Sequence, residues 1–496
     1  MSVIDKPSVL ILDLNNFSRF PTLPVGLITA VLRKAQHRVE VLSPLSVGAQ
    51  GIPRESRAKP WSYWDERLRW WSATTRSKSV RAFRNSLGKF RSHRRSARGQ
   101  EIMAALGASM DRRPDVILIS AYLEYHDVIE RVGAMGAERG IPVLLGGPAF
   151  HGRETREEWL KLPGLTGIFA GEAEGSIIDL VAHVLSNQNA PFPGYSAAGQ
   201  PDGGLAAPLQ ELDDIPIPDY SDFPWERYPN RIVSMLTARG CGWGVCRFCS
   251  DVVTVSGRTY RTRSLENVLT ELKFHHADGG TRLFCFSDLK LNSDLDLWRG
   301  LHEHFPKIIP DAKWTCAVHV GPRKDEGLTP ADMLAARRAG LVRVTTGFET
   351  ASPKLLKAMN KGTDPDRLAD FLAAASEAGI STRLTAFTGY PGEDAEDIET
   401  TRQFLIRIRP HLDRVHLSRL LVQSGTPLEE TLRTGTVGQG SIELLESNPL
   451  DAFTTHLNSS IHDPARRKAI AGLLRIVHQI NRTQLQTSAQ ELEGAM

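Results

Sequence analysis

The chain has 496 residues, too many for a single hydrophobic core, so two or three domains are expected. With 41% hydrophobic and 24% charged residues and a net charge of +3, it reads as an ordinary soluble protein. The start, Met1 to Pro7, has no basic-then-apolar signal, no apolar run approaches the ~20 residues that span a bilayer, and no repeat of solenoid period occurs; the expected compartment is the cytoplasm.

Ser8-Val-Leu-Ile-Leu-Asp13 is a short apolar run of the kind that forms a parallel strand buried on both faces. A polar, proline-broken loop, Asn15 to Gly26, follows on what would be the ligand side. Leu27 to Ala35 then reads as a helix leading to a second strand at Arg38–Leu42. Asp115–Ser120 and Ile141–Leu145 supply further strands that end in Ser120-Ala121 and Gly146-Gly147-Pro148. Alternating strands and helices imply a doubly wound, Rossmann-like sheet with its ligand at the carboxyl ends of the strands. No Gly-x-Gly-x-x-Gly follows the first strand, and taken alone each glycine pair is better explained by a turn that needs positive φ.

Between the second and third strands, residues 51–100 carry 14 Lys or Arg against 3 Asp or Glu, with Trp61, Trp64, Trp70 and Trp71 in the first half. Basic residues with stacking aromatics suit a nucleic-acid surface. The stronger expectation is an added helical layer packed by the tryptophans, with the basic residues solvated or facing the acidic remainder. An anionic substrate or cofactor edge is a third possibility.

Residues 191–230 are Pro- and Gly-rich and read as an extended linker. From Ile232 the pattern becomes six strands with intervening helices, near Ile232–Thr237, Arg282–Ser287, Lys313–Val318, Val342–Phe348, Thr382–Thr388 and Arg414–Leu421. Thr329-Pro330 and Ser352-Pro353 look like helix starts, and Gly340 and Gly379 like helix stops. Six consecutive βα units imply an incomplete barrel, whose site lies at the carboxyl ends of its strands.

Directly after the first of these strands stands Cys241-Gly-Trp-Gly-Val-Cys246-Arg-Phe-Cys249, three of the chain's five cysteines within nine positions. Cysteines this close favour a metal, and an odd, low count argues against disulfides. A structural zinc site closes with a fourth Cys or His. His275 and His276, the nearest downstream histidines, lie late in a predicted helix and not at finger-like spacing. Three thiolates on a Gly-rich loop suit an iron–sulfur cluster with one iron left open. Cys285 and Cys316 fall inside strands and read as small buried hydrophobes.

The loop resembles the motif of the radical S-adenosylmethionine enzymes, usually Cys-x3-Cys-x-aromatic-Cys. Cys246-Arg-Phe-Cys249 fits its second half and the first gap is one residue longer. Over most of residues 8 to 430 the chain is similar to the cobalamin-dependent branch of that family, in a class B methyltransferase-like arrangement. The resemblance implies a 4Fe–4S cluster on Cys241, Cys246 and Cys249. It implies S-adenosylmethionine near Phe248, Asp288, Glu349, Gly389 and Gly392, at the ends of barrel strands. Asp288 stands where the family often has Gly-Gly-Glu, and a strand-end acid can also be a helix N-cap. Cobalamin is implied beside Ser120, Gly146, Gly147, Gly171 and Glu172. No Asp-x-His-x-x-Gly occurs, so no histidine ligand to cobalt is expected from that motif.

The organisation expected is a cobalamin-binding domain over 1–190, a linker over 191–230, a radical domain over 231–430 and a small helical region over 431–496. In that last region Asp463-Pro464 opens an amphipathic helix placed to close the barrel's open side. The activity implied is methyl transfer to an unactivated carbon of a small-molecule or peptide substrate. An electron donor such as flavodoxin or ferredoxin would be the protein partner. A non-methylating radical reaction remains an alternative, as does a cofactor-bearing sensor that binds nucleic acid.

Overall fold

A computed structural model describes residues 6–52, 62–74, 77, 79–80, 83, 86, 100–188, 190–252, 259–435, 441–450 and 452–495. The first sheet contains β1 (Ser8–Asp13), β2 (Arg38–Leu42), β3 (Val116–Ser120), β4 (Val143–Gly146), β5 (Gly167–Phe169) and β6 (Tyr195–Ser196). Its order is β2-β1-β3-β4-β5-β6, parallel except for the last strand. Because helices cover both faces, Val9 to Leu12 and Val116 to Ile119 are buried without alternation. Strands β5 and β6 were not anticipated, and β6 brings part of the presumed linker into this sheet. The first helix runs Leu23–Lys34, starting four residues before the expected position because Pro24 sits in its first turn.

Strand β7 (Ile232–Met235) begins the second sheet and is followed by a short hairpin of β8 (Ala238–Arg239) and β9 (Arg261–Thr262). The sheet continues through β10 (Leu283–Phe286), β11 (Lys313–Val318), β12 (Leu341–Glu349), β13 (Ser381–Thr388) and β14 (Arg414–Arg419). The order β14-β13-β12-β11-β10-β7 is parallel throughout, the six-unit open barrel that the sequence implied. The Thr329 hydroxyl accepts from Asp332 N–H and the Asp332 carboxylate accepts in return, so helix Pro330–Arg338 starts in a reciprocal cap. Gly340 ends that turn at φ +95°, where a Cβ would lie 2.1 Å from Ala312 O; only glycine fits.

The C-terminal region holds more than helices. Strands β15 (Val422–Gln423), β16 (Ile442–Asn448) and β17 (Phe453–Asn458) form an antiparallel sheet in the order β15-β17-β16. Helix Pro464–Ile480 packs against helix Ala395–Ile408 and the edge strand β14. The segment after it enters the fold: Ala489, Leu492 and Ala495 are fully buried, and Leu492 and Ala495 group with Ile232, Cys285 and Val342 of the barrel strands. Arg343, charged yet buried in mid-strand, donates to Ala489 O and Leu492 O at 3.1 Å each, and Cys285 Sγ lies 3.2 Å from Ala495 O. A cation buried in a barrel wall needs such partners.

Part of the insertion is described. Helix Tyr63–Thr74 lies against helix Pro464–Ile480, with Tyr63 Oη donating to Ala471 O at 3.1 Å. Trp70 packs on the core, but Trp64 is 70% exposed and Trp71 is exposed too, so the tryptophans do not all pack the layer as expected. Trp61 and most of the basic second half lie outside the described residues.

Candidate active site

The cysteine loop spans the gap between β8 and β9 at the carboxyl end of β7, and the three thiols are partly buried. Its path is fixed by neighbours. Arg247 N donates to Met359 O at 3.0 Å, Arg247 O accepts from Leu428 N at 2.9 Å, and Trp243 Nε1 donates to Asn360 O at 2.8 Å. Asn360, in the left-handed region at φ +55°, returns Nδ2 to Val245 O at 3.2 Å. One turn after helix Pro353–Met359 therefore clasps the loop.

That turn also delivers Lys361, whose Nζ lies 3.0 Å from Glu349 Oε1 and 5.9 Å from the centre of the Phe248 ring. Glu349 ends β12 at φ +65°, next to a register shift between Gly347 and Glu349. A bulge of this kind re-aims a side chain at the sheet's rim, here toward the cysteine loop. Burial would pull the Lys361 ammonium down, but Glu349 and then Cys246 outweigh it and hold the group above its usual range. Burial pushes the Cys246 thiol up, and burial with Asp251 nearby pushes Cys249 up to about 12. Metal binding to these sulfurs must therefore displace protons. His319 stacks on Trp243 at 6.1 Å and is pulled down to about 3, by burial first and by Lys361 and Lys290 next.

No group of three His, Cys, Asp or Glu side chains among the described residues converges as a ready cage for a bare ion. The donor set fits an iron–sulfur cluster in kind: three thiols on one loop, Cys246 within electrostatic reach of both others, and Cys249 Sγ donating to Asp251 Oδ2 at 3.4 Å.

The structure brings Phe248 and Glu349 together and adds Lys361, Trp243 and His319, which no sequence pattern singled out. Asp288 has a different setting. It is buried, and its carboxylate accepts from Thr237 N, Thr237 Oγ1 and Ala238 N at 2.7–3.1 Å, so it pins the chain just before the cysteine loop. Burial raises it to about 6 despite those donors. Gly389 donates its N–H to Glu393 Oε2 at 2.8 Å, Arg466 Nη2 reaches the same oxygen, and a Cβ on Gly392 would meet open space.

In the first sheet, Ser120 Oγ accepts from Asn15 Nδ2 at 2.9 Å, while Asn15 Oδ1 is buried with no protein partner. An orphaned acceptor between the ends of β1 and β3 fits a ligand at that edge. A Cβ on Gly146 would have only a 3.7 Å contact, leaving room. Gly147 (φ +145°) and Gly171 (φ +128°) are instead required by chain contacts at 2.8 Å, to Ala121 O and to the Ala206 side chain. Glu172 is fully engaged: Arg261 and Arg239 meet its carboxylate at 2.7 and 3.1 Å, and Leu209 N donates to it at 2.9 Å. The loops after β1 and β3 reach the barrel, since Phe17, Phe20 and Tyr122 group with Ile232, Cys285 and Leu492.

Outside this wall, a cleft of about 940 Å³ is lined by Trp243, Gly362, Phe404 and Arg407.

Residues 235–405 match the radical SAM superfamily. An uncharacterized methyltransferase of Pyrococcus horikoshii is 26% identical over 303 residues, covering 59% of this chain and 64% of that protein. The anaerobic magnesium-protoporphyrin IX monomethyl ester cyclase of Rubrivivax gelatinosus is 27% identical over 308 residues, covering 58% and 53%. The chain thus spans between about half and two thirds of the length of these relatives. Among solved structures, the cobalamin-dependent S-adenosylmethionine radical enzyme OxsB has a TM-score of 0.69 at 16% identity, over 94% of this chain and 66% of that one. The radical S-adenosylmethionine methyltransferase TsrM from Kitasatospora setae has a TM-score of 0.62 at 16% identity, over 95% and 89%. No helix among the described residues is long and apolar enough to cross a membrane. The chain carries a radical SAM domain, and along nearly its whole length it has the fold of the cobalamin-dependent radical S-adenosylmethionine enzymes.

Proposed function

We propose that the protein is a cobalamin-dependent radical S-adenosylmethionine methyltransferase that acts on an unactivated carbon of a small-molecule or peptide substrate. The observation that carries the reading is the meeting, at the carboxyl ends of the strands in the region matching the radical SAM superfamily, of a three-cysteine loop with the buried Glu349–Lys361 pair. When bound, cluster and S-adenosylmethionine would supply a carbon-centred radical and cobalamin a methyl group, while the protein supplies position and dryness.

Cys241, Cys246 and Cys249 would hold the cluster. Glu349, aimed inward by its left-handed backbone, would accept from the ribose hydroxyls. Lys361 presents a cation beside the cysteine loop, suited to a carboxylate on S-adenosylmethionine. Phe248, edge-on to Phe387 at 5.0 Å, makes a flat wall for the adenine. Asp288 would act on the loop's foot and leave little of its acceptor capacity for an amine. In the first sheet, Ser120, Asn15 and Gly146 are the groups best placed for cobalamin, with Gly147 and Gly171 shaping their loops. Cys285 and Arg343 lie deeper, under the 489–495 segment, and would take no part.

The test is anaerobic reconstitution with iron, sulfide, cobalamin, S-adenosylmethionine and a flavodoxin or ferredoxin, followed by mass analysis. 5′-Deoxyadenosine, S-adenosylhomocysteine and a product heavier by one methylene are expected. The cyclase-named relative favours one second reading, a radical reaction without methyl transfer. It would give 5′-deoxyadenosine and no S-adenosylhomocysteine.

A further inference from the structure

The loop after β5 and the hairpin that bears the cysteine loop are joined by four charged side chains. Arg239 reaches Glu174 Oε1 at 2.5 Å and Glu172 Oε2 at 3.1 Å. Arg261 lies 2.7 Å from Glu172 Oε1 and 2.9 Å from Oε2, and it also donates to Leu209 O. All four side chains are about nine-tenths buried, with exposures of 8 to 11%. Two cations and two anions cancel, so the group can be dry without an uncompensated charge.

What makes the cluster more than a domain seam is where its arginines stand. Arg239 and Arg261 are paired residues of β8 and β9, the two feet of the cysteine loop, and Arg239 is two positions from Cys241. Asp288 pins Thr237 and Ala238 immediately before the same foot. The cysteine loop is therefore gripped from two sides, by the barrel through Asp288 and by the first sheet through Glu172 and Glu174. Those glutamates share one turn with Gly171, whose contact with Ala206 fixes the turn's path.

We propose that Arg239, Arg261, Glu172 and Glu174 are positioning residues that transmit the geometry of the first sheet's ligand edge to the cysteine loop, and that Glu172 serves this clamp and not a cobalamin contact. The proposal rests on the two-cofactor reading above. It predicts reciprocal coupling: a ligand that orders the loop after β5 also orders the feet of the cysteine loop.

The experiment uses the full chain with its reconstituted cluster and reads backbone hydrogen exchange over residues 236–240 and 260–264, with and without hydroxocobalamin. Arg261→Glu should speed exchange there by about tenfold or more, with iron content unchanged. Combining it with Glu172→Arg should restore most of the protection, which loss of an unrelated structural contact would not do. Hydroxocobalamin should slow exchange at both feet in the wild type and not in Arg261→Glu. Unchanged exchange in Arg261→Glu, or no response of the wild-type feet to bound hydroxocobalamin, overturns the proposal. So does a Glu172→Gln protein that loses hydroxocobalamin affinity tenfold while its hairpin stays protected, because the glutamate would then be a ligand contact. If the wild type takes up no cobalamin at all, the two-cofactor reading fails, and the Arg261→Glu comparison still decides whether the clamp exists.

Discussion

Glu349 and Lys361 are twelve residues apart, yet their side chains meet at 3.0 Å, about nine-tenths buried, beside the cysteine loop. Neither charge has bulk water to fall back on, so each depends on the other. Glu349→Gln should leave a buried ammonium without its anion and lower stability by about 3 kcal/mol in urea unfolding. Lys361→Met should cost a similar amount, and the double variant Glu349→Gln with Lys361→Met less than the sum. Additive losses would show that the two side chains are not coupled.

The three loop cysteines and the two strand cysteines should behave as separate classes. Alanine at Cys241, Cys246 or Cys249 should abolish iron–sulfur absorbance after reconstitution. Alanine at Cys316, buried against the helices, or serine at Cys285 should leave it intact. A triple loop variant that still binds about four irons per chain would contradict the assignment.

Asp288 gives the protein a pH signature. Its carboxyl is raised from 3.8 to about 6 by burial, so the folded state holds the proton more tightly than the unfolded chain does. The stability this supplies is present below about pH 4 and lost as pH rises through 6, about 3 kcal/mol in all. Wild type should therefore lose stability relative to Asp288→Asn between those values and run parallel to it above pH 7. A difference that does not change with pH would mean the carboxyl ionises normally.

Gly146 and Gly147 are adjacent and should respond differently to alanine. Gly147→Ala forces a side chain into φ +145° and against Ala121 O at 2.8 Å, so a loss of about 2 kcal/mol is expected in thermal or urea unfolding. Gly146→Ala meets nothing closer than 3.7 Å and should fold normally. If cobalamin uptake falls in Gly146→Ala while stability holds, the space in front of it belongs to the ligand.

Much of the architecture was legible because hydrophobic runs of the right length are hard to read as anything but strands. Ser8–Asp13, Arg38–Leu42 and Lys313–Val318 fall where their apolar residues put them. Gly340 and Gly379, at φ +95° and +78°, punctuate the helices as glycine should. The three cysteines stand out by spacing, and the structure sets their loop between β8 and β9 at the carboxyl end of β7. What escaped has physical reasons as well. Strand β5 is three residues long, too short for a period, and β6 hides among prolines. Lys361 acquires its place through Asn360 and a turn after a helix, a relation in space that spacing does not encode. Glu172, set beside cobalamin by the family resemblance, also meets two arginines that lie 67 and 89 positions downstream, a pairing that spacing does not encode. Arg343 finds its carbonyl partners in residues 489–495, 146 and 149 positions away, a pairing that no local pattern encodes.

That last arrangement bears on how the chain is made. Arg343 and its acceptors at Ala489 and Leu492 are separated by 146 and 149 residues. A ribosome adding ~5–20 residues each second delivers those carbonyls many seconds after β12 has emerged. Until then Ile232, Cys285 and Val342 lack the cover that Leu492 and Ala495 give them in the folded protein. The contacts of residues 489–495 with Arg343 are thus of very high sequence separation, the kind that forms slowly. Expression at low temperature or with chaperones should therefore raise the soluble yield of this protein more than that of a barrel closed by its own strands.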